Sequence, residues 1–416
     1  MHLRNIYLIL MLLIFIMACS SSEENRISSP TLSPGTWRAT LTLQGQTLPF
    51  TFDLKEQDSS TYELYLRNAE ERLLVDEIHV EGDSIRVPLH IFDTEIVAKN
   101  EGDHWTGYWT KNYVEDYVLP FEAQQGEDYR FVPAATETPV EVEGKWEVTF
   151  ADDSLPAIGV FEQEGDRLTG SFLLATGDYR FLEGNVSGEQ LMLSTFDGEH
   201  AYLFKARLQE DGTLQGDFWS GISYHTTWTA RRDENVELPD ANTLTYLKEG
   251  YDQLAFTFPN LQGDSVSLSD PQYQDKVVLV QIFGTWCPNC MDETKFLTEW
   301  YDQNKDRGVE IIGLAYERKD DFDYASRRVM KMVDKLDVGY DFLIAGESDK
   351  EKAAETLPML NQVMSFPTLI YIDHTGKVQN IHTGFSGPGT GEYYEKFVRE
   401  FNERMDALLN DISEDA

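Results

Sequence analysis

Hydrophobic and polar positions follow two different patterns along this chain. Between residues 35 and 232, short alternating runs such as EIHVEGDSIRVPLHIF are broken by turn residues at roughly 8–12-residue spacing, which is typical of an antiparallel sandwich or barrel. Later, the continuous apolar runs VVLVQIFG (277–284) and VEIIGLA (309–315) predict strands buried on both faces of a sheet. Helical stretches at 288–305, about 321–336 and 390–411 alternate with such strands. The pattern therefore predicts all-β structure followed by an α/β layer.

The β-rich part contains an internal repeat. GTWRAT at 35–40 returns as GKWEVT at 144–149, and at the same shift Gly107 matches Gly216. Only two copies indicate duplicated globular domains, each a barrel or a sandwich, rather than a solenoid. The opening Gly-x-Trp resembles the start of lipocalin-type barrels, whose Trp plugs the barrel floor. The histidines of both copies are scattered without metal-ligand spacing, so we expect no metal site.

With 416 residues the chain is too long for one ordinary core. The expected segments are a signal peptide (1–18), a flexible tether (19–34), β-module 1 (35–132), a linker (133–143), β-module 2 (144–232), an acidic linker (233–250), an α/β domain (251–411) and a tail (412–416).

The N-terminus has the features of a secretion signal. Arg4 precedes an apolar run at 6–18 that is too short to span a bilayer. The run ends Ile-Met-Ala-Cys, which resembles a bacterial lipobox and predicts that Cys19 is lipidated. The following SSSEE resembles the acidic surface-export tag of some Bacteroidetes lipoproteins. We therefore expect a lipid-anchored protein of the cell envelope, on the periplasmic face or the cell surface.

The charge balance restricts the possible partners. The chain has 73 acidic and 34 basic residues and a net charge of −39. Such a surface repels nucleic acid and anionic lipid, so we expect no nucleic-acid partner.

Besides Cys19, the chain has two cysteines, in the motif Cys287-Pro288-Asn289-Cys290. A zinc knuckle needs a second Cys or His pair, and no cysteine is left for it; a c-type haem site needs His where Met291 stands. Pro288 suits the first position of a helix, and the dipole of that helix stabilises a thiolate on Cys287. We expect Cys287 to attack a disulfide and Cys290, one turn on, to resolve the mixed disulfide.

From about residue 252 to 411 the chain resembles the TlpA/ResA-type thioredoxin-fold proteins, which are membrane-tethered extracytoplasmic thiol–disulfide oxidoreductases. The matching motifs are GTWCPNC at 284–290, Glu293, SFPT at 365–368, the turn at 373–376 and Gly384. The resemblance implies that the predicted α/β domain at 251–411 has a thioredoxin-like fold, with an insertion after LAYERKDD. It does not cover residues 35–232.

The resemblance also implies roles for individual residues. Pro367 should be cis and lie against the disulfide, with Trp286, Pro288 and Phe366 completing the substrate groove. Glu293 should be a buried carboxyl that tunes the thiols and moves protons. Many relatives have a proline where this chain has Lys295, a departure that could shift Glu293.

These features predict an extracytoplasmic, membrane-anchored enzyme that reduces or isomerises protein disulfides. Its electrons would come from a membrane thiol donor. The redox-active group would be the Cys287–Cys290 pair, without a metal or organic cofactor. Two alternatives stay open. One is an oxidase that donates its disulfide, and the other is a client-binding lipoprotein whose β-modules capture a partner.

Overall fold

A computed structural model describes residues 32–58, 61–153 and 155–415 of the chain. Cys19, the predicted signal peptide and most of the predicted tether lie outside these residues. Within them, the predicted order of two all-β modules and a C-terminal thioredoxin-fold domain is confirmed.

β-module 1 is one open antiparallel sheet of nine strands. The strands are β1 (Gly35–Leu43), β2 (Gln46–Asp58), β3 (Thr61–Asn68), β4 (Glu71–Val75), β5 (His79–Glu81), β6 (Ser84–Pro88), β7 (Thr94–Asn100), β8 (His104–Lys111) and β9 (Val118–Gln125). Their order is β4-β3-β2-β1-β9-β8-β7-β6-β5, so the sheet curls without joining β4 to β5. Buried and exposed residues alternate along β1 and β3, which places one face of the sheet in a core.

β-module 2 repeats this meander but closes it. The strands are β10 (Gly144–Phe150), β11 (Ala157–Glu164), β12 (Arg167–Leu174), β13 (Gly177–Asp178), β14 (Leu182–Ser187), β15 (Gln190–Phe196), β16 (Ala201–Leu208), β17 (Leu214–Ser220) and β18 (Tyr224–Arg232). Because β11 pairs with both β10 and β12, eight strands form a closed barrel, to which β13 adds a short hairpin. Packed aromatic rings such as Phe204 and Phe218, 4.2 Å apart, fill its interior.

The repeated tryptophans occupy equivalent places in the two modules. Trp37 and Trp146 are both buried. Each indole N–H donates to a carbonyl four residues earlier, Trp37 to Ser33 at 3.0 Å and Trp146 to Val142 at 2.9 Å. The sequence repeat is therefore also a structural repeat.

The C-terminal domain surrounds a five-stranded sheet. The strands of the domain are β19 (Thr257–Pro259), β20 (Ser265–Ser267), β21 (Val277–Phe283), β22 (Val309–Glu317), β23 (Asp341–Glu347), β24 (Thr368–Ile372) and β25 (Val378–Thr383). The helices of the domain are α1 (Pro288–Asn304), α2 (Phe322–Leu336), α3 (Lys350–Thr356) and α4 (Glu392–Asp415). The sheet order is β23-β22-β21-β24-β25, while β19 and β20 form a separate hairpin. The three helices predicted from the sequence are confirmed. Among the helices of the described ranges, none has the length and apolar character needed to cross a membrane.

The C-terminal domain packs against both β-modules. Helix α2 lies beside the open side of β-module 1, where Lys335 pairs with Asp76 and Lys331 pairs with Glu77 at 3.1 Å. The Tyr324 hydroxyl of the same helix donates to Asp93 at 2.9 Å. The side of β-module 1 that lacks a strand pairing is thus in contact with the thioredoxin-fold domain.

Candidate active site

The two cysteines lie where the central strand β21 leads into helix α1. They form a disulfide, with Cα atoms 5.2 Å apart. Cys287 is the N-cap of the helix, its Sγ accepts the backbone N–H of Cys290 at 3.1 Å, and Pro288 is the first helical residue. Cys287 keeps 6% of its surface exposed and Cys290 none. This difference in exposure fits an attacking Cys287 and a resolving Cys290.

The predicted groove residues converge on this disulfide. The Phe366–Pro367 peptide bond is cis, as the family resemblance implied, and the Phe366 carbonyl oxygen lies 3.5 Å from Cys287 Sγ. The Trp286 and Phe366 rings meet edge to face with centroids 5.4 Å apart. The Trp286 indole N–H donates to the Tyr316 carbonyl at 2.8 Å. Phe366 therefore contacts Cys287 and packs against Trp286, Pro367 follows it in the cis peptide, and Trp286 and Pro288 flank Cys287 in the chain.

Glu293 lies on α1, three residues after Cys290, and is fully buried. Its Oε2 accepts the Gln281 amide at 2.8 Å, and its Oε1 has no hydrogen-bond partner among the described residues. Burial raises the pKa of Glu293 to about 8, although the bond from Gln281 acts in the opposite direction. The carboxyl is mostly protonated at neutral pH and can exchange a proton near that pH. Helix α1 continues unbroken past Lys295, where many relatives have a proline. Glu293 is nevertheless buried inside the domain.

A second buried carboxylate, Glu317, supports the loop before Cys287. Its two oxygens accept the backbone N–H of Thr285 at 2.8 Å and the Thr285 hydroxyl at 2.9 Å. Burial raises the pKa of Glu317, and the bonds from Thr285 partly oppose this. Sequence reasoning missed the residue; an acidic residue ending the apolar run VEIIGLAYE was the available signal.

A hairpin of β-module 2 reaches the same site. This segment, residues 174–181, is here called the module-2 hairpin. The Asn289 side chain, between the two cysteines, donates to the Asp178 carbonyl at 3.1 Å. The Ser365 hydroxyl, beside the cis peptide, donates to the Thr176 carbonyl at 2.6 Å. The active site is therefore built from two domains, which sequence reasoning did not foresee.

Arg180 of the module-2 hairpin forms a buried ion cluster with three carboxylates. Its guanidinium makes two bonds to Asp292 of α1, at 2.9 and 3.0 Å, one to Glu71 of β-module 1 at 2.6 Å and one to Asp197 of β-module 2 at 3.3 Å. Burial disfavours its charge, but the three carboxylates outweigh this and keep the pKa of Arg180 above its ordinary value. The cluster joins all three domains next to the disulfide.

Arg318 lies against Trp286, the residue before Cys287. Its guanidinium stacks over the Trp286 ring at 3.8 Å and lies 5.3 Å from the ring centre of Tyr113 in β-module 1. Cation–π contacts of this kind hold an aromatic side chain in place. β-module 1 thus contributes a side chain to the neighbourhood of Trp286.

Comparisons with known proteins concern the C-terminal part of the chain. The family model described as Redoxin matches residues 239–396. The chain is 31% identical over 147 residues to the thiol-disulfide oxidoreductase ResA of Bacillus thuringiensis subsp. konkukian, which covers 35% of this chain and 73% of the relative. The identity to ResA of Halalkalibacterium halodurans is 25% over 156 residues, 38% of this chain and 76% of the relative.

Solved structures also align with part of the chain. A DsbF homologue from Corynebacterium diphtheriae aligns with 40% of this chain and 97% of its own, at 20% identity and a TM-score of 0.30. The thioredoxin domain of a thiol-disulfide oxidoreductase from Bacteroides vulgatus aligns with 38% of this chain and 99% of its own, at 25% identity and a TM-score of 0.27.

Proposed function

The chain belongs to the ResA family of thiol–disulfide oxidoreductases, and from this premise we propose that it reduces or isomerises protein disulfides outside the cytoplasm while anchored to a membrane through Cys19. The observation that carries the proposal is the placement of the Cys287–Cys290 pair. The pair caps α1 against the cis peptide of Pro367, and a buried carboxyl lies one turn further along the helix. This arrangement suits reversible thiol–disulfide exchange.

In the proposed reaction the reduced enzyme begins as a dithiol. The Cys287 thiolate attacks one sulfur of the substrate disulfide; a Cys287–substrate bond forms, the substrate S–S bond breaks, and the released thiolate takes up a proton. Cys290 then loses its proton to the carboxylate form of Glu293 and attacks Cys287 Sγ. A Cys287–Cys290 bond forms, the Cys287–substrate bond breaks, and the second substrate sulfur leaves as a thiolate and takes up a proton. Two electrons have then passed from the enzyme to the substrate. A membrane protein carrying a dithiol returns the enzyme to its reduced form.

The helix start favours the negative sulfur in the first step. Cys287 Sγ already accepts the backbone N–H of Cys290, and the helix dipole adds a favourable field. Trp286, Phe366 and Pro367 would hold the substrate chain beside this sulfur. The acidic chain, with a net charge of −39, favours clients that are neutral or basic at the contact.

The direction of electron flow is tested by the reduction potential of the Cys287–Cys290 pair. It can be measured by redox titration, thiol alkylation and mass readout. A potential near or below roughly −250 mV, as in thioredoxin, supports the reductase. A potential above about −150 mV, near that of DsbA, would instead identify a disulfide-donating oxidase.

The assignment of the two cysteines has its own test. A Cys290→Ser variant should accumulate a mixed disulfide between Cys287 and substrate, because nothing remains to resolve it. A Cys287→Ser variant should form none. Trapping through Cys290 instead would reverse the proposed roles.

A further inference from the structure

The module-2 hairpin contacts three loops that surround the disulfide. Besides the bonds from Asn289 and Ser365, the Asp178 carboxylate accepts the backbone N–H of Gly387 at 2.7 Å. At Gly384 the backbones come so close that an added Cβ would lie 2.7 Å from the carbonyl carbon of Thr176. The hairpin therefore lies in direct contact with the loop between the cysteines, the cis-proline loop and the loop after β25.

These contacts leave little room at the attacking sulfur. Cys287 is 6% exposed and Pro288 is buried, while the neighbouring Trp286 ring is held by Arg318 and packs against Phe366. Disulfide exchange requires that the substrate sulfur reach the attacking sulfur, so its rate depends on access. A small disulfide can enter such a narrow opening, whereas one fixed in the surface of a folded protein brings bulky neighbours with it.

The hairpin is also firmly held. The Asp178 carboxylate accepts the backbone N–H of Arg180 at 2.5 Å as well as that of Gly387, and it bridges the hairpin to the thioredoxin-fold domain. The Arg180 guanidinium, 2% exposed, forms its paired bonds with Asp292, two residues after Cys290. A buried ion pair of this geometry is costly to break by removing one partner.

We propose that the module-2 hairpin is the substrate-selecting wall of the active site, that Asp178 and Arg180 are its positioning residues, and that it discriminates against disulfides held rigidly in folded proteins. The proposal rests on the function proposed above, because it concerns which disulfides reach Cys287 in that reaction. Asp178 and Arg180 act through the position of the hairpin and take no part in the exchange itself.

The test compares two disulfides of different bulk. The reduced full-length protein is mixed with oxidised glutathione or with folded insulin, and loss of enzyme thiol is followed by stopped flow. Variants Arg180→Ala and Asp178→Asn each remove part of what holds the hairpin and should loosen it. Arg207→Ala is the control, because Arg207 pairs with Glu189 at 2.7 Å on the exposed surface of the same module. Asp178→Asn preserves shape and leaves the Arg180 cluster intact, so it remains informative if Arg180→Ala fails to fold.

We expect wild type to react faster with glutathione disulfide than with insulin. In the hairpin variants the ratio of the insulin rate to the glutathione rate should rise roughly tenfold or more. The reason is that conformations in which the hairpin has moved away from Cys287 become more populated. The control should keep the wild-type ratio. An unchanged ratio in the folded hairpin variants, or equal losses with both disulfides, would overturn the proposal. A wild-type dithiol that reacts with neither disulfide would instead overturn the proposed function.

Discussion

The side-chain amide of Gln281 donates to Glu293 across 2.8 Å in the interior of the thioredoxin-fold domain. An amide offers no charge to balance a carboxylate, and the second oxygen of Glu293 has no partner among the described residues. Desolvation therefore dominates, and the neutral carboxyl is the favoured form near pH 7. This relationship makes Glu293 the side chain through which the site can be probed by pH.

A Glu293→Gln variant should lose the pH dependence that this carboxyl creates. The pKa of Glu293 is raised from 4.5 to about 8 on folding, so between these pH values the folded state binds a proton at Glu293 that the unfolded state has lost. The stability that this proton provides is fully present below pH 4.5 and is lost as pH rises through 8. In Glu293→Gln the free energy of unfolding should not show this decrease, which amounts to a few kcal/mol. Urea unfolding between pH 4.5 and 9 measures it.

The same substitution should remove an inflection near pH 8 from the rate at which the dithiol reacts with small disulfides. Glu299→Gln is the matched control, since Glu299 is exposed on the same helix. If Glu293→Gln unfolds with the wild-type pH profile and retains the kinetic inflection, the carboxyl does not titrate in this range, and its role in proton transfer must be abandoned.

Thr285→Val should destabilise the loop that carries Trp286 and Cys287. The valine has the shape of threonine but cannot donate to Glu317, so a buried carboxylate loses a hydrogen bond at 2.9 Å. The expected cost is about 1.5–3 kcal/mol in the free energy of unfolding, the range for hydrogen bonds to charged groups. Urea denaturation at pH 7 checks it.

Thr285→Ser keeps the hydroxyl donor and serves as the control. It should retain most of the stability, apart from the packing of one methyl group. Equal losses in the serine and valine variants would show that the methyl group, and not the bond to Glu317, supports the loop.

The sequence was sufficient to predict the arrangement of residues that lie close together in the chain. Cys287, Pro288 and Cys290 lie on one strand–helix junction, and the dipole argument needs only their spacing. Glu293 is one turn further along the same helix. The sequence repeat that starts at Trp37 and Trp146 also predicted a structural repeat. A buried tryptophan and its carbonyl partner lie four residues apart in both modules, so this contact too is local in the chain.

Contacts between domains could not be predicted in this way. Arg180 is far from Cys287 in the chain, and nothing in an alternating β pattern tells which charged side chain will be buried by another domain. The same holds for the open side of β-module 1. Its Asp76 and Glu77 form ion pairs with Lys335 and Lys331 of α2, a surface that exists only after the domains have packed together.

Arg130 should be a main determinant of how the two β-modules hold together. The side chain is 5% exposed and follows the last strand of β-module 1; its guanidinium donates to Asn68 at 2.9 Å and to the Glu183 carbonyl of β-module 2 at 3.4 Å. Burial lowers the pKa of Arg130 to about 10, so the residue stays charged at neutral pH. An Arg130→Met variant keeps much of the side-chain bulk but removes the donor to both acceptors.

We expect Arg130→Met to lower the free energy of unfolding by about 1.5–3 kcal/mol, the range for hydrogen bonds that involve a charged group. It should also weaken the coupling between the unfolding of the two modules, because the bonds that Arg130 makes to β-module 2 are lost. Urea unfolding followed by tryptophan fluorescence reports on both modules, since Trp37 and Trp146 are buried in different cores. Arg207→Met, at an exposed ion pair, should cost at most about 1 kcal/mol. If the two variants unfold alike and each in a single transition, Arg130 does not couple the modules, and their association must depend on other contacts such as the Arg180 cluster.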